Sequence, residues 1–109
     1  MSTYRGVRVA KGALEVTVDG QLLPPRFDLA NHSPSGFECG YLGSGPSQLA
    51  LAILAHALGD DRTALIEYPG FKRDIIARLA APFELTSSEV EDWLSGQGLD
   101  EALARMHGS

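Results

Sequence analysis

Hydrophobic and polar residues alternate along the first quarter of the chain, which is the period of a β-strand with one buried face. The alternation is clearest in residues 14–18, where apolar side chains are separated by Glu15 and Thr17. Asp19-Gly20 follows and favours a type I′ hairpin turn, because both central positions of that turn need a positive φ. Pro24-Pro25 ends the next short strand, since proline has no N–H for a ladder. The pattern therefore predicts an antiparallel β-meander over residues 4–23.

The second half of the chain changes to a helical pattern. Residues 46–58 begin with a proline, which is favoured at the first helical position, and they are apolar on nearly every side. A helix of this kind belongs in the centre of a fold, and we expect His56 to be a core histidine within it. A helical run over residues 61–68, interrupted at Pro69, and a second helix over residues 70–80 are predicted to follow.

The last third of the chain carries a clear helix start. Residues 82–85 are predicted to form a short strand, and Thr86 to Glu89 has the spacing of a capping box. We predict a helix over residues 87–95, a turn at the glycines that follow, and a last helix over residues 99–106.

The connector over residues 24–45 is rich in proline, glycine and serine. Structureless loops longer than about 12–15 residues are uncommon in compact domains and are often functional. Short extended pieces are predicted at residues 26–29 and 36–41. Together these elements predict one α+β domain over residues 1–109, in which the N-terminal antiparallel β-meander packs on a central apolar helix and two or three further helices follow in residues 46–106.

Length and composition narrow the class of protein. The chain has 109 residues, which is the size of one domain. It has no apolar run near the 20 residues of a membrane-spanning helix and no apolar leader, so we expect a soluble, cytoplasmic protein. Its one cysteine, Cys39, excludes an internal disulfide bond and a site with several cysteine ligands.

The connector also holds the densest set of chemistry-bearing side chains. Glycines, serines and a following helix N-terminus make residues 43–47 a candidate anion cradle. Neither the lysine-bearing phosphate loop nor the dinucleotide fingerprint is present, and a tight turn that leads into a buried helix explains the same residues. The candidate ligand loop comprises His32, Ser33, Tyr41, Ser44 and Ser47.

The sequence supports a catalytic thiol and a metal site less well than it supports the ligand loop. Cys39, His32 and Asp28 supply the residue types of a thiol nucleophile, its base and an orienting group, but a lone cysteine is more often a small buried hydrophobic residue. The three histidines (residues 32, 56 and 107) are too scattered in sequence for a metal signature. We therefore predict no catalytic cysteine, no metal and no cofactor.

The net negative charge of the chain comes from its last quarter. Basic and acidic residues balance over residues 1–81, whereas residues 82–109 carry six acidic residues and one basic residue. Such a surface repels phosphate backbones and attracts basic protein surfaces, so direct nucleic-acid binding is not expected. A solvated face that only aids solubility is the alternative. The predicted acidic contact surface comprises Glu89, Glu91, Asp92, Asp100 and Glu101.

Several motifs resemble those of one family. They are Tyr4-Arg-Gly-x-Arg, Asn31-His-Ser-Pro-x-Gly-Phe, Gly43-Ser-Gly-Pro-x-Gln-Leu-Ala and Phe71-Lys. The chain is similar over most of residues 4–94 to small prokaryotic and phage-borne proteins known only as a domain of unknown function. That family usually has tryptophan in place of Cys39, which argues further against a thiol mechanism. The resemblance implies a phage or mobile-element setting and transfers no activity.

We therefore expect a small non-enzymatic binding protein, of the kind that inhibits a host defence complex such as CRISPR–Cas. Its partner would be a host or phage protein with a basic surface. The alternative is a small-molecule or phosphate-binding protein, or an enzyme, that uses the loop over residues 31–47. A deep polar pocket lined by loop residues would favour the alternative.

Overall fold

The computed structural model describes residues 1–106 and, within them, the side chains of residues 1–96. Four strands form one antiparallel sheet in the order β3-β2-β1-β4. The first three strands are consecutive along the chain, whereas β4, which pairs with the other side of β1, comes after the first two helices in sequence. The strands are β1 (Thr3–Arg8), β2 (Leu14–Val18), β3 (Gln21–Leu22) and β4 (Phe83–Thr86).

The predicted meander and the α+β class are confirmed, and the local chemistry explains why. Asp19 and Gly20 both adopt a positive φ, as a two-residue hairpin turn requires. Gly6 lies opposite Phe83 in the β1–β4 ladder, and the Phe83 ring occupies the space that a Cβ at residue 6 would need. A glycine is therefore required where β1 accepts its aromatic neighbour.

Three α-helices follow the connector, and a 3₁₀ turn over Ile76–Arg78 separates the second from β4. Every residue from Gly45 to Ala55 in the first helix is buried, as the all-round apolar pattern predicts. The buried side chains of this helix and those of the sheet belong to one hydrophobic cluster. The helices are α1 (Ser44–Leu58), α2 (Asp61–Asp74) and α3 (Ser87–Met106).

Two predicted helix breaks are wrong. Helix α2 continues through Pro69 and ends at Asp74, so the predicted helix over residues 70–80 is its last turn followed by the 3₁₀ turn. The carbonyl that Pro69 leaves unpaired belongs to Leu65, which is exposed, so water can replace the lost bond. Helix α3 is continuous where two helices and a glycine turn were predicted. Gly96 lowers helix propensity there by only about 1 kcal/mol relative to alanine, which does not end a helix already started by a good cap.

Two smaller predictions also need correction. The extended pieces predicted at residues 26–29 and 36–41 are turns and irregular backbone, with no strand in residues 23–43. Helix α1 begins at Ser44 with Gly43 as its N-cap, two residues before the predicted start. The capping box is confirmed, because Glu89 N–H donates to Thr86 Oγ1 and the Glu89 carboxylate accepts from Thr86 N–H.

Candidate functional site

One buried amide holds the connector against α1. Gln48 is completely buried in a helix that is otherwise apolar. Its Oε1 accepts from the backbone N–H groups of His32 and Ser33 at 2.7 and 3.2 Å. Its Nε2 donates to the backbone carbonyls of Pro25 and Ala30 at 2.6 and 3.0 Å. A single side chain thus satisfies four backbone groups of a segment that has no secondary structure of its own.

A charged contact fixes the same segment to α2. The Arg26 guanidinium donates to both carboxylate oxygens of Asp28 and to both of Asp61, at 2.8 to 3.1 Å. The hydrogen bonds from Arg26 lower the pKa of the Asp28 carboxyl group below its usual value. Asp61 is the first residue of α2, so this contact ties the turn at residues 26–29 to the start of that helix.

A groove of about 800 Å³ lies between this connector and the sheet. The lining residues fall into two stretches of the chain, one from Val9 to Phe27, which includes β2 and the start of the connector, and one from Ser33 to Gly45, which includes the rest of the connector and the start of α1. We call these two stretches the sheet wall and the connector wall. The wall on the sheet side comprises Val9, Ala13, Leu14, Glu15, Val16, Leu22, Leu23, Pro24, Pro25 and Phe27. The wall on the connector side comprises Ser33, Pro34, Ser35, Gly36, Phe37, Glu38, Tyr41, Ser44 and Gly45.

Large apolar side chains on the rim of this groove are open to solvent. Leu22 is 68% exposed, Tyr41 is 51% exposed, and Val9 and Phe27 are each 41% exposed. They include two aromatic rings, those of Phe27 and Tyr41, which come from the two different lining stretches. Solvent-facing apolar residues gathered around a cleft are typical of a surface that binds another molecule.

The charged side chains of the described lining are both acidic. Glu38 makes a salt bridge of 2.8 Å with Arg8, which lies beyond the lining residues. Glu15 is exposed on β2. Because the described lining carries no cationic side chain, the groove is poorly suited to phosphate and better suited to an apolar or basic ligand.

Three of the five predicted loop residues line the groove. Ser33, Tyr41 and Ser44 belong to its connector wall. Ser47 is buried and donates its hydroxyl proton to the Gly43 carbonyl at 3.0 Å, so it does not face a ligand. His32 packs its ring on Tyr68 at a centroid distance of 4.9 Å, and its Nε2 is buried without a partner in the described part of the chain. The predicted loop therefore divides into a groove-lining part and a packing part.

The start of α1 has little room for an anion. The Glu38 side chain packs over this turn so closely that a Cβ at Gly45 would lie 2.6 Å from the Glu38 Cβ. Gly43 caps the helix without any side-chain hydrogen bond. An acidic side chain over the first turn disfavours a second negative group at the same place.

The groups of the thiol interpretation serve other purposes. Cys39 is 5% exposed, and burial raises the pKa of its thiol. A raised pKa lowers the thiolate fraction, which is the reactive form. Asp28 is engaged by Arg26, as described above, and the His32 ring packs on Tyr68. This arrangement supports packing as the role of Cys39.

The acidic surface is only partly described. Glu91 and Asp92 are exposed near the start of α3, which both a contact surface and a solvated face require. Glu89 is exposed as well, but its carboxylate is used by the capping box. The side chains of Asp100 and Glu101 lie outside the described residues.

His56 is exposed, so the prediction that it belongs to the core is wrong. It lies near the C-terminal end of α1, where the helix emerges from the apolar cluster, and its Nδ1 is 2.7 Å from the hydroxyl of buried Tyr4. Burial, with Asp19 and Glu91 nearby, raises the pKa of Tyr4 to about 12. The Tyr4 hydroxyl therefore stays protonated at neutral pH and is suited to donating to the imidazole. The pair links β1 to α1.

The residues that sequence reasoning missed are those of the sheet wall. One signal is present in the sequence: Leu22, the last residue of β3, is followed by a second apolar residue, and consecutive side chains of extended backbone point to opposite faces. One of the two side chains must therefore face solvent, and it is Leu22, which is 68% exposed, whereas Leu23 is 3% exposed. The position of Phe27 follows from the bonds of its neighbours Pro25 and Arg26 to Gln48 and Asp61, which leave no local signal in the sequence.

Comparisons with known proteins identify a family but no activity. A family described as Family of unknown function (DUF6166) matches residues 4–96. No curated protein and no solved structure matches the chain. Among the described residues, no group of three or more His, Cys, Asp or Glu side chains could hold a metal ion. No described helix is both long enough and apolar enough to cross a membrane.

Proposed function

We propose, for a chain that belongs to this family of unknown function, that it is a non-enzymatic binding protein whose groove receives an apolar segment of a partner protein. The observation that carries the proposal is the position of the exposed apolar side chains. Nine large hydrophobic residues are exposed in the described part of the chain, and Val9, Leu22, Phe27 and Tyr41 are the four that line the groove. A partner that covers them would remove apolar surface from water and gain affinity in proportion to the area buried.

The chemistry of the lining favours binding over catalysis. The titratable side chains among the described lining residues are Glu15, Glu38 and Tyr41. Glu38 is ion-paired, and Glu15 and Tyr41 are exposed to solvent. A general acid or base is usually tuned by burial or by a charged partner in a cleft. Phosphate is disfavoured because the described lining holds no cationic side chain, whereas the groove volume lies within the usual range for a small apolar ligand. An apolar small molecule is therefore the second candidate.

The acidic surface is proposed as a second contact that speeds association. Glu91 and Asp92 are free of the capping role that occupies Glu89, so they can face a basic patch on the partner. The host defence complex and the phage setting implied by the family resemblance, and a cytoplasmic location, stay predictions about where that partner is found.

Site-specific photo-crosslinking tests the proposal. A photoreactive phenylalanine analogue is placed at Phe27, at Tyr41 or, as a control, at Ile66, which is 65% exposed and does not line the groove. We expect the first two positions to give the same adduct in a lysate of the source cells. Mass spectrometry should place both crosslinks on one short segment of one protein, and the Ile66 position should give neither.

Other results would count against the proposal. Crosslinks to a small molecule from both walls would favour the second candidate. Adducts that are equal at all three positions would mean that the groove is not the contact surface.

A further inference from the structure

The sheet carries an unpaired stretch of edge beside the groove. Strand β2 pairs with β3 at Thr17↔Leu22 and Val18↔Gln21, and one further bond runs from Leu23 N–H to the Val16 carbonyl. Beyond that bond, no described strand lies on this side of β2. Edge backbone of this kind offers N–H and C=O groups to an added strand.

The register shows which groups are directed outward. Val9 N–H donates to the Ala13 carbonyl and Asp19 N–H donates to the Thr3 carbonyl, so the odd-numbered residues of this stretch bond toward β1. Because bonding direction alternates along an antiparallel strand, the N–H and C=O of Leu14 are directed away from β1.

The chain itself cannot pair with Leu14. Continuing the β2–β3 register would place Pro25 opposite Leu14, and proline has no N–H to donate. The Pro25 carbonyl already accepts from Gln48 Nε2 at 2.6 Å. Pro25 therefore has no N–H to donate to Leu14, and its carbonyl is already bonded to Gln48, so it does not extend the ladder.

The groove runs along this edge. Four consecutive residues, 13–16, line it, although successive side chains of a strand point to opposite faces. Consecutive residues can all border one cleft where the cleft follows the edge of the strand, so that their backbone is reached from the side.

We infer that the occupant of the groove is an extended peptide segment of the partner, which adds a short strand beside Leu14. The inference rests on the proposed function and specifies its ligand. Apolar side chains of the segment would alternate toward the Phe27 and Tyr41 rings. A lysine or arginine would face Glu15, because Glu38, the other carboxylate of the described lining, is already ion-paired with Arg8. Main-chain bonds supply affinity and alternate side-chain pockets supply specificity in this mode of recognition.

A display library of linear 12-residue peptides, selected on the wild-type chain, supplies the probe. We expect enriched sequences with alternating apolar residues and at least one basic residue. Phe27→Ser and Tyr41→Ser should each weaken binding of a selected peptide about tenfold, because each removes a large part of an apolar contact. Ile66→Ser, which changes an equally apolar exposed residue away from the groove, should leave binding unchanged.

Backbone methylation of the selected peptide tests the added strand itself. Methylating the one amide that donates to the Leu14 carbonyl should weaken binding about tenfold, since it removes a hydrogen bond and adds bulk at the edge. Methylating the adjacent amides, whose N–H groups would point away from β2, should have a much smaller effect.

Three results would overturn the inference. Two of them would leave the proposed function intact, and the third would contradict it as well. If peptides depend on Phe27 and Tyr41 but tolerate methylation at every position, strand addition is wrong and groove binding survives. If no peptide is enriched while photo-crosslinking still maps a partner to the groove, the ligand is not a linear segment. If neither method shows any dependence on the groove, the proposed function fails as well.

Discussion

Replacing Gln48 should release the connector from the rest of the fold. In Gln48→Leu the side chain keeps a similar size and stays compatible with the apolar helix, but all four hydrogen bonds to residues 25–33 are lost. A hydrogen bond contributes about 0.5–1.5 kcal/mol net, so four bonds represent about 2–6 kcal/mol. Water can reach some of the freed groups, because three of the four bonds are only partly buried. We expect a loss of about 3 kcal/mol.

That loss is large for a domain of this size. A change of 1 kcal/mol shifts the melting temperature by about 4–8 °C in small domains, so Gln48→Leu should melt more than about 10 °C below the wild type. Gln21→Leu is the matched control, because Gln21 is exposed on β3 and the same substitution there removes no buried bond. Hydrogen exchange should show faster exchange at the amides of His32 and Ser33 in the first variant only.

Gln48→Glu adds a pH test of the same contact. A carboxylate keeps the two bonds from N–H groups but faces the carbonyls of Pro25 and Ala30 without a proton to donate. Complete burial and these carbonyls raise the folded-state pKa of the new carboxyl group above its unfolded value of about 4.3, against the opposite effect of the two N–H donors. The destabilisation should therefore be small below the unfolded pKa and grow as pH rises toward neutrality. A melting temperature within 2 °C or so of the wild type for Gln48→Leu, or a pH-independent deficit in Gln48→Glu, would show that the amide does not hold the connector.

Three further predictions concern other parts of the molecule. Gly96→Ala should raise the melting temperature by a few degrees, because α3 is continuous and alanine stabilises a helix by about 1 kcal/mol relative to glycine. A lower melting temperature, measured by circular dichroism, would instead support a turn at this glycine. Cys39→Ala should keep partner binding and lose about 1 kcal/mol of stability, and the native thiol should react slowly with a disulfide reagent; loss of binding with an intact fold would give the thiol a function. Glu91→Lys with Asp92→Lys should slow association with the identified partner about tenfold at low salt and little at high salt. If surface plasmon resonance gives the same association rate for the variant and the wild type at every salt concentration, the acidic surface is only a solvated face.

The parts of the fold that follow local rules could be predicted from the sequence. Period-two alternation and Asp19-Gly20 were sufficient for the meander, and Thr86 to Glu89 for the start of α3. The predicted breaks at Pro69 and Gly96 are wrong, because water can replace the one bond that Pro69 removes and Gly96 costs α3 only about 1 kcal/mol after a good cap. Intrinsic preference alone therefore predicts more helix ends than the structure contains.

The groove was only half predictable, and the reason is physical. Its connector wall was marked by Ser33, Tyr41 and Ser44, because an unusual loop composition is visible along the chain. Its sheet wall is built on the β1–β2–β3 ladders, but the approach of the connector to that wall depends on contacts far apart in sequence, those of Gln48 with Pro25 and Ala30 among them. A lone glutamine in an apolar helix must find partners when buried, so Gln48 was itself a signal that some irregular backbone packs against α1.

The long-range contacts that make the groove hard to predict from sequence also favour its use in binding. The connector segment over residues 25–33 has no strand or helix, yet Gln48 and Arg26 hold it on two sides. A wall that is ordered before the ligand arrives does not lose that conformational freedom on binding, which lowers the free-energy cost of association. The Leu14 edge is likewise fixed by its ladder with β1 on the other side. Binding strength in this groove should therefore depend on the stability of the Gln48 contacts as well as on the side chains that touch the ligand.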